Sequence, residues 1–342
     1  EVISLKGYES LRNKMYCQGC GSKVSKNTLV NFLKKEDMNH VLSDSSIIET
    51  NSSSLIQSID HIKLFSSLNP FDFGVISYLH SQNDILSGGG SVKSLSISLA
   101  LPFSEGATEK FYMEYFMKGI QSEANKDKSI IASGHSFQSS EPGITITMNG
   151  TIEEKLSKNQ AQESDLIYIS KPLGTGYLLA AYFNNTDLLT SDDLQYLINC
   201  LKTGNKEIAE TAKKNHCNVM TDISGFGLAS HLGDICKSSN LTARISLNND
   251  VLINSNINIL NKFQSTGFKN NYLSSSNEVL IPKEHPLKNI LYDPQTNGPL
   301  LFSIKKIYKD KFEKEIELNQ GFKPIFLGKF TKQEEKLIYI DN

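Results

Sequence analysis

Two cysteines near the amino terminus, Cys17 and Cys20, form a C-x-x-C pattern, and Lys23 follows three residues later. Such a pair can supply half of a zinc site, but zinc needs four ligands and the chain has no second pair of this kind. A second interpretation is a reactive cysteine on a glycine-containing loop, because a nearby ammonium favours the nucleophilic thiolate. A third is a pair of ordinary thiols, and the spacing alone does not separate the three.

Four aspartates at or near the ends of apolar runs form a second candidate group: Asp44, Asp60, Asp84 and Asp222. Carboxylates at strand ends suit Mg²⁺, a hard cation that prefers oxygen and is held by a few carboxylates together with phosphate oxygens. A single aspartate is more often a cap, a turn or a surface charge. Sequence spacing does not by itself group these four.

Glycine-rich turns provide a third feature, in Gly174-Thr175-Gly176 and in Asp222-Ile223-Ser224-Gly225-Phe226-Gly227. A strand, an aspartate, a glycine-rich turn and a helix amino terminus together could hold a metal-bound phosphate, and an ordinary tight turn is the alternative. The chain has neither a G-x-x-x-x-G-K-[ST] loop nor a G-x-G-x-x-G motif after a strand. A nucleotide site would therefore be of another type.

Two histidines and one turn complete the candidates. His80 and His135, taken alone, are typical of satisfied structural histidines. The segment Asp293-Pro294-Gln295-Thr296-Asn297-Gly298 predicts a rigid turn.

Composition narrows the class of protein. The 342 residues carry a net charge of −2, which does not favour nucleic-acid binding. No apolar run is long enough for a transmembrane helix, and no signal peptide is evident. Five cysteines, an odd number, argue against a disulfide framework and favour a reducing compartment, so we expect a cytoplasmic protein without a membrane partner.

The pattern of apolar residues predicts the elements that must position these side chains. Helices are predicted over residues 27–35, 72–86, 109–124, 205–215 and 226–238, and strands over residues 54–60, 94–101, 143–149 and 166–170. Residues 239–277 are rich in Asn and Ser and predict either loops or helices. A polar stretch around residues 150–164 predicts a boundary between domains at 17–164 and 165–342, after a flexible lead-in or fusion tail at 1–16. The alternation of strands and helices indicates an α/β (α+β) fold.

These segments, in this order, resemble the selenophosphate synthetase (selenide, water dikinase) family from about Tyr16 to about Ser303. The matching stretches are Cys20-Gly21-Ser22-Lys23-Val24, Gln57-Ser58-Ile59-Asp60, Asn69-Pro70-Phe71-Asp72-Phe73-Gly74, Asn83-Asp84, Gly134-His135-Ser136 with Glu141-Pro142, Lys171-Pro172-Leu173-Gly174-Thr175-Gly176, Thr221-Asp222-Ile223-Ser224-Gly225-Phe226-Gly227-Leu228 with His231-Leu232, and Asp293 to Gly298. The Cys-Gly-x-Lys element separates this family from relatives that make purines, thiamine diphosphate or hydrogenase cofactors.

The resemblance implies a two-domain PurM-like fold, with an amino-terminal ATP-binding domain and a carboxy-terminal α/β domain. It implies homodimers joined through the amino-terminal sheets. The implied reaction converts ATP, selenide and water into selenophosphate, AMP and phosphate, with Mg²⁺ required and K⁺ assisting. Cys17 resembles a second cysteine found in members fused behind a flavoprotein oxidoreductase, so an upstream fused domain is expected.

Roles carry over by position. Cys20 matches the family's reactive Cys or selenocysteine, and Lys23 matches the essential lysine that would neutralise phosphate charge. The metal-binding aspartates correspond to Asp44, Asp60, Asp84 and Asp222. Residues that match a nucleotide-contacting segment contributed across the dimer are Gly134, His135 and Ser136.

The chain also departs from the family pattern. Ser43 replaces a second Asp before Asp44, Ser133 replaces a glycine beside the nucleotide segment, and Pro299 replaces a glycine. We expect the first change to weaken metal binding. Two other interpretations stay open, a related ATP-dependent kinase or ligase of the same fold and a binding or regulatory module that keeps the fold without turnover.

Overall fold

The computed structural model describes residues 26–35, 44–49, 54–64, 68–152, 154–184, 187–253, 257–317 and 321–341. Cys17, Cys20 and Lys23, together with the predicted lead-in at 1–16, lie outside the described residues. Their assigned roles therefore stay predictions.

Helices and strands alternate along the described chain. The α-helices are α1 (Lys26–Lys35), α2 (Pro70–Ser87), α3 (Ala107–Asp127), α4 (Thr175–Phe183), α5 (Ser191–Lys202), α6 (Lys206–Lys214), α7 (Gly227–Ser239), α8 (Ile257–Lys262), α9 (Phe268–Ser275) and α10 (Lys309–Ile316). The strands are β1 (Ser46–Glu49), β2 (Ser54–Lys63), β3 (Gly90–Pro102), β4 (Ile130–Ser139), β5 (Gly143–Ile152), β6 (Leu166–Ile169), β7 (Met220–Asp222), β8 (Leu241–Ser246), β9 (Val279–Leu280), β10 (Leu300–Ile304), β11 (Ile325–Lys332) and β12 (Ile338–Asp341). Short 3₁₀ turns lie at Asn249–Val251, Ser276–Glu278, Lys288–Tyr292 and Lys306–Tyr308.

The amino-terminal sheet has the strand order β1-β2-β5-β3-β4, antiparallel except for the parallel β3–β4 pair. Strand β2 alternates, with Ile56, Ser58 and Ile62 buried between more exposed neighbours, because successive side chains of a strand point to opposite faces. Helices α2 and α3 pack together and cover the buried face. The burial pattern of the strand therefore fixes which face receives the helices.

Helices α2 and α3 approach each other closely at two glycines. A Cβ atom on Gly74 would lie 2.3 Å from the Phe116 carbonyl oxygen, and one on Gly119 would lie 2.1 Å from the Phe71 carbonyl oxygen. Only glycine permits backbones to come this near. This crossing sets the position of α2, which carries His80 and Asp84.

The carboxy-terminal sheet has the order β7-β10-β6-β11-β8-β12-β9. Its first four pairings are antiparallel, and β12 pairs in parallel with both β8 and β9. Strand β7 forms one edge and ends at Asp222, and α2 of the other domain packs against it. The two domains therefore meet beside a predicted metal ligand.

A chain of buried amides joins the domains. The Asn205 amide donates to Asn83 Oδ1 at 2.9 Å and to the Gly298 carbonyl at 3.0 Å, and Ser170 Oγ donates to Asn205 Oδ1 at 2.6 Å. Asn83 Nδ2 in turn donates to Asn297 Oδ1 at 3.1 Å. Buried polar groups need partners, so this network specifies one relative placement of the two domains.

The predicted α/β (α+β) class and PurM-like architecture are confirmed, and the predicted elements recur with shifted ends. The expectation that Asp60 ends its strand is wrong, because β2 continues through Lys63. Residues 239–277 are neither all loop nor all helix, since they contain β8, α8 and α9. Among the described helices, none combines the length and the apolar character required to cross a membrane.

Candidate functional site

Asp44 lies two residues before β1 and is held by groups from distant parts of the chain. Thr221 Oγ1 donates to Asp44 Oδ2 at 2.8 Å, and Lys158 Nζ lies 2.9 Å from the same oxygen. Burial, the largest single influence, would raise the pKa of the Asp44 carboxyl, but attraction to Lys158 and, less strongly, His231, together with the hydrogen bonds from Lys158 and Thr221, lowers the pKa to about 2. Asp44 is therefore ionised at neutral pH.

Asp222 and His231 complete a compact cluster with Asp44. Asp222 is the last residue of β7 and is 3% exposed, while His231 lies in the second turn of α7. One carboxylate oxygen of Asp44, one of Asp222 and one imidazole nitrogen of His231 all lie within 4.8 Å of one another. The end of β7 and the first turns of α7 therefore place Asp222 and His231 next to Asp44, which belongs to the other domain.

The local sequence explains how β7 passes into α7. Gly227 has a φ of +75°, a conformation that L side chains rarely adopt, and it opens the helix directly after the turn. The Gly227 N–H donates to the Ser224 carbonyl at 3.2 Å, which closes the turn. The helix then places His231 back towards Asp222.

His231 is the member of the cluster that the sequence analysis did not select as a site residue. Burial, followed by the nearby Lys158 ammonium, lowers the pKa of His231 to about 3, so its imidazole is neutral at pH 7. Its Nε2 accepts a long hydrogen bond of 3.4 Å from the Ser224 N–H, and its Nδ1 has no hydrogen-bond partner among the described residues. The spacing from Gly227, one helical turn, was the signal that could have identified it.

Two lysines and a further aspartate surround the cluster. Lys26 on α1 forms hydrogen bonds of 2.7 Å to Asp234 Oδ1 and 2.7 Å to Ser230 Oγ, both on α7. Attraction to Asp44 and, less strongly, to Asp234 raises the pKa of Lys158 despite the opposing effect of burial, which is the largest influence. The negative charges of the carboxylates around the cluster are therefore partly neutralised by the two ammonium groups.

A cavity of about 370 Å³ opens beside Asp44. It is bounded by Ser45 to Ile47, by the end of α2 at Ser87 and Gly88, by 155–158 and by Met220. Lys155 and Lys158 both contribute to its wall. Serine hydroxyls and ammonium groups around a carboxylate are suited to a metal-bound phosphate.

Asp60 and Asp84 lie on neighbouring elements but outside the 4.8 Å cluster. His80 Nε2 is 3.8 Å from Asp60 Oδ2, and His80 Nδ1 accepts from the Asn297 N–H at 3.1 Å. Asp84 follows His80 by one turn of α2, and that helix packs against β7, the strand of Asp222. The structure therefore brings Asp44 and Asp222 into contact range and places the other two on adjoining surfaces.

The nucleotide segment Gly134, His135 and Ser136 lies elsewhere in the same chain. It belongs to β4, an exposed edge strand, and lines a separate cavity of about 490 Å³ between the sheet and α3. Three strand spacings of roughly 4.8 Å separate β4 from β2 and Asp60. One copy of the chain does not bring this segment to the aspartate cluster.

The other glycine-rich turn, Gly174-Thr175-Gly176, is a structural motif. Gln295 Oε1 accepts from the N–H groups of Gly174 and Thr175 at 2.9 and 3.1 Å, and Asp293 Oδ2 accepts from the Tyr177 N–H at 3.2 Å. These side chains occupy the amino terminus of α4, where a phosphate could otherwise bind. The tight-turn interpretation fits this segment.

The Asp44–Asp222–His231 cluster fits a divalent cation. It offers two carboxylates, the donor type that suits Mg²⁺ and Mn²⁺, beside a neutral imidazole that adds no positive charge.

Comparison with known proteins gives a family and a fold. Residues 42–152 match the model of AIR synthase related protein, N-terminal domain, and residues 162–338 match that of the C-terminal domain. A selenide, water dikinase of Shewanella sp. (strain MR-4) is 27% identical over 324 residues, covering 91% of this chain and 90% of that protein. A selenide, water dikinase of Treponema denticola is 26% identical over 342 residues, covering 94% of each.

Solved structures show the same architecture. Thiamine monophosphate kinase from Aquifex aeolicus is similar with a TM-score of 0.66 at 19% identity, covering 92% of this chain and 96% of that one. Hydrogenase maturation protein HypE in complex with ATP is similar with a TM-score of 0.60 at 17% identity, covering 91% and 88%. Because one family model alone spans more than half of the sequence and a second covers most of the rest, this two-domain PurM-like chain belongs to the AIR synthase related protein family.

Proposed function

We propose that the chain is a selenide, water dikinase that converts ATP, selenide and water into selenophosphate, AMP and phosphate. The relatives of that name from Shewanella sp. (strain MR-4) and Treponema denticola align with 91% and 94% of this chain. The observation that carries the proposal is the convergence of Asp44 and Asp222, from different domains, beside one polar cavity.

Mg²⁺ would be held by Asp44 and Asp222, with Asp60 and Asp84 as further ligands from the neighbouring elements. When bound, the ion supplies positive charge that makes a triphosphate approachable. The protein's own contribution is to hold two ionisable carboxylates at fixed positions and to place the Lys155 and Lys158 ammonium groups in the cavity wall.

Cys20 and Lys23 are proposed as the catalytic pair. They lie outside the described residues, and the support is their place in the sequence. Lys23 precedes Lys26 by only three residues, and Lys26 binds Asp234 beside the cluster. Loss of selenophosphate formation in Cys20→Ser and Lys23→Ala variants that still bind ATP is the expected result.

We also propose a homodimer that completes the nucleotide site through Gly134, His135 and Ser136. Strand β4 supports this, because Ile130 is 67% and Phe137 is 50% exposed on an edge strand, where backbone groups are open to pairing. Phe137→Glu should convert the dimer to a monomer in light scattering coupled to size exclusion, with the fold retained by circular dichroism. A wild-type chain that is monomeric at all concentrations would contradict the assembly.

Phosphorus NMR of the chain with ATP, Mg²⁺ and selenide tests the reaction. The expected products are AMP, orthophosphate and a resonance split by coupling to selenium, and all three should be absent without selenide. Replacing K⁺ by Na⁺ in a parallel tube tests the proposed assistance by K⁺.

Two other outcomes would overturn the assignment. Formation of ADP without a requirement for selenide would indicate a related kinase of the same fold. Calorimetric binding of ATP and Mg²⁺ without any product would indicate a binding module that has kept the fold.

A further inference from the structure

Lys158 occupies an unusual place for a loop lysine, because its ammonium lies inside the carboxylate cluster. Its Nζ is 2.9 Å from Asp44 Oδ2 and 3.1 Å from Asp44 Oδ1. Asp222 and Asp234 also attract it. Only 24% of the Lys158 side chain is exposed, so the charge is largely removed from water.

The loop is anchored so that the ammonium stays there. Leu156 is buried in the core formed with Leu86 and Met220, and its N–H donates to the Gly88 carbonyl at 3.2 Å. On the other side, Ser239 Oγ donates to the Lys158 carbonyl at 3.0 Å. The backbone is thus fixed on both sides of the lysine, which limits the places that its side chain can reach.

A metal ion and an ammonium group compete for the same carboxylate oxygens, because both are positively charged. Asp44 offers one carboxylate to the cluster, and both of its oxygens already face Lys158. A divalent ion at this carboxylate would have to approach within a few ångströms of a fixed positive charge, which is strongly unfavourable in a partly buried site.

We propose that Lys158 is a built-in cation that competes with a divalent ion for Asp44 at the Asp44–Asp222–His231 cluster and thereby lowers the affinity of this cluster for divalent ions. The inference rests on the proposed function for the cluster's role in phosphate binding. In that role, the lysine supplies part of the positive charge that a triphosphate needs.

The test measures Mn²⁺ binding alone, without ATP or selenide, from the loss of the free-ion electron paramagnetic resonance signal. Lys158→Gln should bind Mn²⁺ at least about tenfold more tightly than the wild-type chain, because one nearby positive charge is removed. Lys158→Arg keeps the charge and should stay within about twofold of the wild type. Lys155→Gln, a lysine of the same cavity wall, is the matched control and should have a much smaller effect.

The double variant Asp44→Asn/Lys158→Gln tests where the additional Mn²⁺ binds. Removing the Asp44 charge should abolish the increase in Mn²⁺ affinity that Lys158→Gln causes. Unchanged or weaker Mn²⁺ binding by a folded Lys158→Gln chain would overturn the proposal, and so would a gain that survives Asp44→Asn. Circular dichroism confirms the fold of each variant. Because the probe is the metal alone, failure here is distinct from failure to form selenophosphate in the NMR experiment.

Discussion

At the scale of single residues, burial and neighbouring charges set the protonation states of Asp44 and His231 in the Asp44–Asp222–His231 cluster. Asp44 stays ionised because its neighbours, chiefly the Lys158 ammonium, together outweigh the cost of burial. His231 stays neutral because burial and the same ammonium disfavour imidazolium. Anionic oxygen and neutral nitrogen are the protonation states that bind metals. The site is therefore prepared for a cation at neutral pH.

Asp222→Asn should weaken Mg²⁺-dependent ATP binding at least about tenfold while the chain stays folded, because one ligand charge is lost and the side-chain volume hardly changes. Calorimetry with ATP at fixed Mg²⁺ measures the effect. Asp192→Asn on the exposed first turn of α5 is the control. Equal nucleotide affinity in the two variants would argue against Asp222 as a ligand.

His231 also predicts a dependence of stability on pH. The pKa of the imidazole is 6.5 in the unfolded reference and about 3 in the folded chain, where Lys158 and Asp44 face it. Between these values the unfolded state binds more protons, so stability is full above pH 6.5 and falls as the pH decreases. The metal-free chain should lose about 2 kcal/mol between pH 7 and pH 5 from this group alone.

Urea denaturation at the two pH values measures this loss, and His231→Gln should reduce it. The comparison isolates the histidine, because the Asp44 pKa of about 2 leaves that carboxylate ionised over the same interval. If the stability of His231→Gln fell as steeply as that of the wild type, the imidazole would not be responsible.

At the scale of elements, the position of α2 controls the amino-terminal half of the site. This helix carries Asp84 and His80, ends beside the cavity at Ser87 and is placed by its glycine crossing with α3. Neither helix could carry a side chain at that crossing without moving, so the spacing between the two backbones is fixed.

Gly119→Ala should destabilise the chain by about 1–3 kcal/mol, because its Cβ would lie 2.1 Å from the Phe71 carbonyl and the helices must separate. Gly321→Ala is the matched control, since no atom lies within 4 Å of its Cβ position. Denaturant midpoints compare the two. Equal midpoints would show that α2 and α3 can move apart at little cost.

At the scale of the whole molecule, the two domains share a buried polar boundary. Asn205 links Ser170, Asn83 and the Gly298 carbonyl in one network, and the aspartate cluster lies along the same contact between α2 and the carboxy-terminal domain. Domain placement and site geometry are therefore coupled, because a shift of one domain would separate Asp44 from Asp222.

Asn205→Ala should cost about 1–3 kcal/mol in stability, since it leaves partners of the amide buried without a hydrogen bond. It should also weaken Mn²⁺ binding at the distant cluster. Asn199→Ala is the control, because Asn199 is an exposed position of α5 whose side-chain oxygen accepts a hydrogen bond from the Gln195 side chain on the same helix. A variant with lower stability but unchanged Mn²⁺ affinity would uncouple the domain boundary from the site.

The local spacing of apolar and turn-forming residues was enough to predict many of the helices and strands. The burial period of β2, the helical spacing of α2 and the Asp222–Gly227 turn depend on neighbours within a few residues, and each was recognisable from the sequence. Asp44, Asp60, Asp84 and Asp222 were selected with the help of motif resemblance. Strands β10 to β12 and the edge position of β4 were not predicted, because their pairing partners are remote in sequence.

The sequence determined about half of the helices, several strands, the two-domain class and the identities of the acidic candidates, since these follow from local periodicity and from short motifs. Tertiary structure decided which candidates meet. Asp44 contacts Thr221 across 177 residues and Lys158 across 114, distances over which no local pattern carries information. Tertiary packing set those contacts, and the tertiary structure alone revealed the neutral His231 and the ammonium of Lys158 inside the cluster.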